Sequence, residues 1–156
     1  MKERPPAAPM DAAGTITNTA VVSGGGITPI TVTETIGTES TPILTITKSV
    51  SPVPVTENGT LTYTFLIQNA GSAPADIGTD AVIVDTFNPL LSNLAVSFNG
   101  TAWAETTNYT YDETTGVFTT IAGQITVPAA TYTQNPATGV WTADPGVSTL
   151  VVKGTI

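Results

Sequence analysis

Lys48 is the side chain in this sequence whose surroundings point most directly to chemistry. It lies in phase with Leu44 and Ile46 in an alternating segment, which predicts that its amine points toward the protein interior. A buried lysine is costly unless its charge is paired or removed. One hypothesis is an amide crosslink to a nearby carboxamide or carboxylate, for which the available partners are Asn69, Asp76 and Asp85. The alternatives are an ion pair with Asp85, or a strand that ends at Lys48 so that the amine reaches water.

Few other residues have the chemistry for catalysis or metal binding. The sequence has no Cys and no His, which removes thiol nucleophiles, imidazole bases and the usual zinc sites. Some carboxylates lie in turn-like contexts without a surrounding catalytic motif, namely Glu105, Asp112 and Glu113. Others lack the close alternating spacing of a calcium loop, namely Asp76, Asp80 and Asp85. We therefore expect no enzyme activity, no cofactor and no metal.

The charge composition excludes two classes of partner. Only 10% of the 156 residues are charged, and 12 acidic against 4 basic residues give a net charge of −8. Nucleic acids and anionic membranes are bound through clustered Lys and Arg, so we expect neither nucleic-acid binding nor membrane insertion. No secretory signal is recognisable. We therefore expect a surface protein to be released by an unusual route, such as lysis of the mother cell.

The elements that must position these residues are strands. Thr and other β-branched residues are abundant, and they suit strands better than helices. Composition divides the chain into a Pro-rich leader (1–13), an N-terminal extension (14–42) and a β-sandwich domain (43–156). We expect the leader to be held by a neighbouring molecule, because its Pro and Ala content gives it no means of ordering itself.

The N-terminal extension contains two Thr-rich strand candidates, 15–22 and 27–36. They are separated by Gly24, Gly25 and Gly26, which we interpret as a flexible hinge.

The sandwich domain is predicted from short alternating segments separated by turns. The segment 81–87 is an apolar run typical of a central strand. Asn-Gly pairs at 58–59 and 99–100 predict tight turns. The alternation predicts a buried core that includes Tyr63, Phe65, Ile67, Ile83 and Leu150.

An internal repeat lies within this domain. Residues 109–123 (YTYDETTGVFTTIAG) align with 132–146 (YTQNPATGVWTADPG) without a gap. We interpret the repeat as two copies of one hairpin, in which Asp or Asn starts the turn and Gly takes the left-handed position. A less favoured interpretation is a sugar-binding site on the matched aromatic residues Phe118 and Trp141.

Several segments together resemble a known family. LTITKSVSP (44–52), ENGTLTYTFLIQNAGSAPA (57–75) and AVIVDTF (81–87) resemble the conserved-repeat surface domain of bacteria, the domain-of-unknown-function family numbered eleven. The resemblance covers roughly 43–156. It implies an immunoglobulin-like sandwich on a cell, spore or fibre surface of a Gram-positive spore former, and it implies no enzyme activity.

The two ends of the chain suggest how copies assemble. Segment 14–22 looks like the closing strand of the family's repeat, displaced to the front of the chain. We therefore expect an open edge beside 148–156, filled by this strand from the next copy. The predicted donor residues are Thr15, Ile16, Thr17, Asn18, Ala20 and Val22. The predicted acceptor residues are Leu150, Val151, Val152 and Lys153.

The sequence thus predicts a structural subunit whose partners are copies of itself in a head-to-tail filament, with an anchoring protein on the cell or spore surface. Two alternatives stay open. The donor strand can fold back on its own domain, which gives a complete monomer. The domain can also be an adhesive module that binds a host glycan or protein.

Overall fold

A computed structural model describes residues 14–38 and 40–156 of the chain. The described residues form twelve β-strands and one short 3-10 helix (Ile77–Thr79), with no α-helix among them. The strands are β1 (Gly14–Gly24), β2 (Ile27–Thr38), β3 (Leu44–Ser51), β4 (Thr60–Asn69), β5 (Val84–Thr86), β6 (Ser92–Phe98), β7 (Thr101–Trp103), β8 (Tyr109–Tyr111), β9 (Val117–Thr120), β10 (Thr131–Gln134), β11 (Trp141–Asp144) and β12 (Gly146–Thr155). The predicted all-β fold is confirmed. The leader and its predicted contact with a neighbouring molecule lie outside the described residues.

The larger sheet has five antiparallel strands in the order β3-β4-β12-β6-β7. Strand β12 is central, because it pairs with β4 along its whole length and with β6 from Leu150 onward. The prediction of an open edge beside 148–156 is therefore wrong, and the four predicted acceptor residues, Leu150, Val151, Val152 and Lys153, lie in the middle of a sheet. The physical reason is burial: Leu150 and Val152 are fully buried, as the alternating residues of a central strand are.

The smaller sheet has three antiparallel strands in the order β5-β9-β8. It packs on the larger sheet through the stacked rings of Tyr63 in β4 and Phe87 just after β5, whose centroids lie 4.7 Å apart; within the smaller sheet, Tyr109 stacks on Phe118 at 5.2 Å. The prediction of a central strand over 81–87 is wrong, because only Val84–Thr86 is a strand and it lies at the edge. Nothing pairs with its outer side among the described residues.

The core lies between these two sheets. Strand β4 alternates between buried and half-buried residues along its whole length, as its sequence predicts. The predicted core is confirmed, since each of its members is buried: Tyr63, Phe65, Ile67, Ile83 and Leu150. The predicted tight turns are also present, with left-handed backbone at Asn58 and at both residues of Asn99–Gly100.

The repeated hairpins have the same turn. In the β8–β9 hairpin, the Asp112 carboxylate accepts from Thr114 N at 2.8 Å, and Gly116 has φ +76°. In the β10–β11 hairpin, the Asn135 carboxamide accepts from Ala137 N at 2.9 Å, and Gly139 has φ +70°. The predicted turn chemistry is confirmed in both copies.

The N-terminal extension is a separate hairpin. Strands β1 and β2 pair with each other, from Gly14 opposite Thr38 to Gly24 opposite Ile27, and together form a two-stranded sheet. The glycines predicted to form a flexible hinge lie instead at a tight hairpin turn, since Gly24 ends β1 opposite Ile27 and Gly25 and Gly26 form the turn. Within the described residues, neither strand is paired with a strand of the sandwich.

We predict that the Asp112 turn makes unfolding pH-dependent. A hydrogen bond from the Thr114 hydroxyl, followed by one from its backbone amide, lowers the pKa of Asp112 to about 2. The lowered pKa adds stability above the unfolded-state value of about 4, and this contribution is lost as the pH falls toward 2. In Asp112→Asn, which the Asn135 turn shows to be compatible with this geometry, that part of the pH dependence should disappear. Urea unfolding of both proteins from pH 6 to about 2 tests this; curves that fall in parallel would contradict it.

Candidate assembly interface at the open edge of the sandwich

Strand β3 has a core-facing side that the described chain covers only in part. Its side chains Leu44 and Ile46 share a face with residues of β4 that are buried, since Ile46 lies opposite Ile67 in the register. Nevertheless, Leu44 and Ile46 are 37% and 51% exposed, whereas Ile67 is 3% exposed. The second sheet therefore does not pack closely on this part of β3.

The backbone of β3 is also unpaired on its outer side within the described residues. The amide of Ala70 donates to the carbonyl of Ile43 at 2.9 Å. Ile43 and Ala70 are therefore a hydrogen-bonded pair that continues the β3–β4 ladder. Because such pairs alternate along an antiparallel ladder, the N–H and C=O groups of every second residue point away from β4. These residues are Leu44, Ile46, Lys48 and Val50. The open edge thus offers four donors and four acceptors to another strand.

An apolar groove lies beside this edge. It has a volume of about 140 Å³ and separates the start of β3 from the segment that leads into β5. Its lining is almost entirely aliphatic and includes Leu44, Ile46, Ile67, Val82, Ile83 and Ile125. An apolar groove beside an unpaired strand is the kind of surface to which another strand adds.

Lys48 and Asp85 join the two sheets at the same edge. Lys48 Nζ lies 2.5 Å from Asp85 Oδ2, and the two side chains are 40% and 19% exposed. Asp85 Oδ2 is buried and has no hydrogen-bond partner within the described residues. The ionic contact with Lys48 therefore compensates its charge. The amine also lies 4.8 Å from the ring centroid of Tyr63 and 5.6 Å from that of Phe87. This arrangement is the predicted ion pair.

Asn69 has a different role from the one predicted. It lies opposite Leu44, whereas Lys48 lies opposite Phe65, so the two are four strand positions, roughly 13 Å, apart. Its fully buried side chain accepts from the amides of Ile43 and Gly71 at 2.9 Å each, and donates to two carbonyls, Ala73 O and Pro128 O. The prediction of Asn69 as a crosslink partner is wrong, because both ends of its carboxamide are already satisfied.

The N-terminal hairpin has two unlike faces. The register pairs Ala20 with Val32 and Val22 with Ile30, which places these four residues on one face. The opposite face pairs Thr19 with Thr33, whose hydroxyl oxygens lie 3.2 Å apart. Val22, Ile30 and Val32 are each about 60% exposed. The predicted donor residues Asn18, Ala20 and Val22 thus belong to a strand whose apolar face is uncovered; the backbone of Thr15, Ile16 and Thr17 lies in the same strand.

The other candidate sites do not come together. Phe118 is fully buried in the core, so it cannot form a sugar-binding platform with the half-buried Trp141, and that interpretation is wrong. Within residues 14–38 and 40–156 there is no group of three or more acidic residues arranged to hold a metal ion.

No family model matches the chain, and neither a curated protein nor a solved structure gives a significant match. The likeness of 43–156 to a conserved-repeat surface domain therefore stays a prediction. The part of the chain that the structure describes contains no helix long and apolar enough to cross a membrane.

We predict that Lys48 and Asp85 form an ion pair and not an amide. Amide formation loses one water and requires a neutral amine, so a second group must take up the proton of Lys48. Asp85, the bonding partner itself, is the only carboxylate in the described chain within ion-pair distance of Nζ. The intact mass should therefore equal the sequence mass; a mass lower by one water would contradict this. Lys48→Met should cost about 1–3 kcal/mol of unfolding free energy, because it leaves the buried Asp85 Oδ2 without the charge that compensates it. Lys153→Met, in which the lysine forms no ion pair among the described residues, is the matched control.

Proposed function

We propose that this protein is a structural subunit of a fibre, which assembles head-to-tail when the N-terminal strand of one copy adds to the sandwich of the next. The observation that carries the proposal is the hairpin β1–β2, whose apolar face is uncovered. A two-stranded sheet is marginally stable in water by itself. Its Val22, Ile30 and Val32 side chains are not covered by the described part of their own chain. We therefore propose that a neighbouring molecule covers them.

The sandwich has an open edge and an exposed apolar surface that complement those of the hairpin. Its edge strand β3 has unpaired backbone groups and exposed apolar side chains beside a groove, while β1 of the hairpin has no partner on its outer side among the described residues and the hairpin has an exposed apolar face. Burial of each exposed aliphatic side chain would contribute on the order of 1 kcal/mol, and main-chain hydrogen bonds would add affinity.

The two surfaces are different parts of the chain, so the contact is heterologous. A heterologous contact that does not close on itself produces an open filament. The location that we propose for this filament, outside the cell or on a spore surface with a separate anchoring protein, is supported by the likeness of 43–156 to bacterial surface repeats. We propose no enzymatic role.

We predict that Val22→Asp prevents assembly, because it places a charge on the apolar face of the hairpin. Val21→Asp is the matched control: Val21 is the next residue, is 59% exposed against 60% for Val22, and lies on the opposite face. Sedimentation velocity and negative-stain microscopy should show filaments for the wild type and Val21→Asp, and monomers for Val22→Asp. The proposal fails if the wild type stays monomeric at all concentrations, which is the behaviour of an adhesive module, or if both variants polymerise equally.

A further inference from the structure

We infer that the acceptor is the outer edge of β3 in a second copy, and that β1 pairs with this edge so that the apolar face of its hairpin closes the groove between β3 and residues 81–83. This inference rests on the proposed function and names the surface that the sequence placed incorrectly.

The length of the edges favours β3. In the described part of the sandwich domain, the strands at sheet edges are β3, β7, β5, β8, β10 and β11. Strands β5, β7 and β8 have three residues each and β10 and β11 have four, whereas β3 has eight. An edge of three or four residues offers at most two outward-facing residues, but β3 offers four (44, 46, 48 and 50). Only β3 can therefore match much of the eleven-residue β1.

Side-chain cover favours the same edge. A strand that is hydrogen-bonded to β3 continues the larger sheet, so every second side chain faces the interior side of the sandwich. These side chains would lie beside Leu44 and Ile46 and opposite Val82, which is half-exposed across the groove. On the donor, the apolar face is the one that carries Ala20 and Val22, and our inference places this face on the interior side. The contact thus buries two apolar surfaces that are both uncovered in one copy.

Backbone chemistry selects β1 over β2 as the donor. Strand β2 contains Pro29, which has no N–H to donate to a ladder. Strand β1 contains no proline between Gly14 and Gly24, so its outer edge can pair without interruption.

The connection between the hairpin and β3 opposes the same contact within one chain. β2 ends at Thr38 and β3 begins at Leu44, so five residues join them. β1 is antiparallel to β2. If the short link turned β3 back antiparallel to β2, β1 could reach its own β3 only in a parallel arrangement, with the link crossing over it. A second copy has no such restriction and can pair with β1 antiparallel.

Charge is also compatible with this contact. Glu34 lies on the same face of the hairpin as Val32, and Lys48 lies on the same face of β3 as Ile46. Lys48 is already paired with Asp85, so the acceptor edge adds no unpaired negative charge that would repel Glu34. Since each copy carries a net charge of −8, added salt should promote assembly by screening the repulsion between copies.

Disulfide trapping tests the inference, and the absence of native cysteine makes the result unambiguous. Two double variants place one cysteine on the donor and one on the acceptor: Val22→Cys with Ile46→Cys, and Ala20→Cys with Ile46→Cys, which covers a shift of two residues in register. Mild oxidation should convert at least one of them into a ladder of dimers, trimers and longer multimers on a denaturing gel. The controls are Val21→Cys with Ile46→Cys, on the wrong face of the hairpin, and Val22→Cys with Lys153→Cys, on the central strand.

The outcomes separate the acceptor from the proposed function. A ladder for either of the two test variants and not for the controls supports the inference. A disulfide-linked monomer at every protein concentration would overturn it in favour of a strand folded back on its own domain. A ladder only for the control that carries Lys153→Cys, or no ladder while the wild type still forms filaments, would overturn β3 as the acceptor but leave self-assembly standing. A wild type that never assembles overturns both.

Discussion

A β-sandwich is stable when the apolar face of each sheet is covered by the other, and this constraint is met along most of the molecule and not met at one edge. Strand β4 is covered by Phe87, which stacks on Tyr63, and the inward side chains of both β4 and β12 are buried. Beyond β4, the larger sheet extends by β3, which β5 of the smaller sheet meets through the Lys48–Asp85 ion pair but does not cover at Leu44 and Ile46. The exposed side chains of β3 and the groove beside them follow from this incomplete cover, and the backbone edge of β3 is open because no described strand pairs with its outer side.

The open edge is nevertheless held in a fixed position. At the start of β3, the buried Asn69 side chain accepts a hydrogen bond from the amide of Ile43 and donates one to the carbonyl of Pro128. These bonds link the start of β3 to β4 and to the segment before β10. Further along, the ion pair of Lys48 and Asp85 spans the two sheets. An acceptor that is ordered before its partner arrives loses little conformational entropy on binding. In the proposed fibre, these contacts would lie near the point where tension enters the sandwich from the hairpin.

The sequence predicts most of the sandwich and little of its topology. The alternation in β4 identifies Tyr63, Phe65 and Ile67 as core, and the Asp112 and Asn135 turns follow from local hydrogen bonds, because both depend on near neighbours. The order of strands depends on contacts distant in sequence, so neither the central place of β12 nor the edge place of β5 could be obtained from periodicity. The alternation places Lys48 on the core face correctly, but the exposure of its side chain depends on a covering strand that the described chain does not supply.

Residue-resolved hydrogen exchange on monomers and filaments tests the central claim most directly. In the monomer, the amides of Thr45 and Thr47 take part in the β3–β4 ladder, whereas those of Leu44, Ile46, Lys48 and Val50 point to solvent. Our account predicts that these four amides become protected in filaments, together with alternate amides of β1. If the four amides exchange in filaments as fast as they do in monomers, the edge of β3 is not where copies join, and the account is wrong.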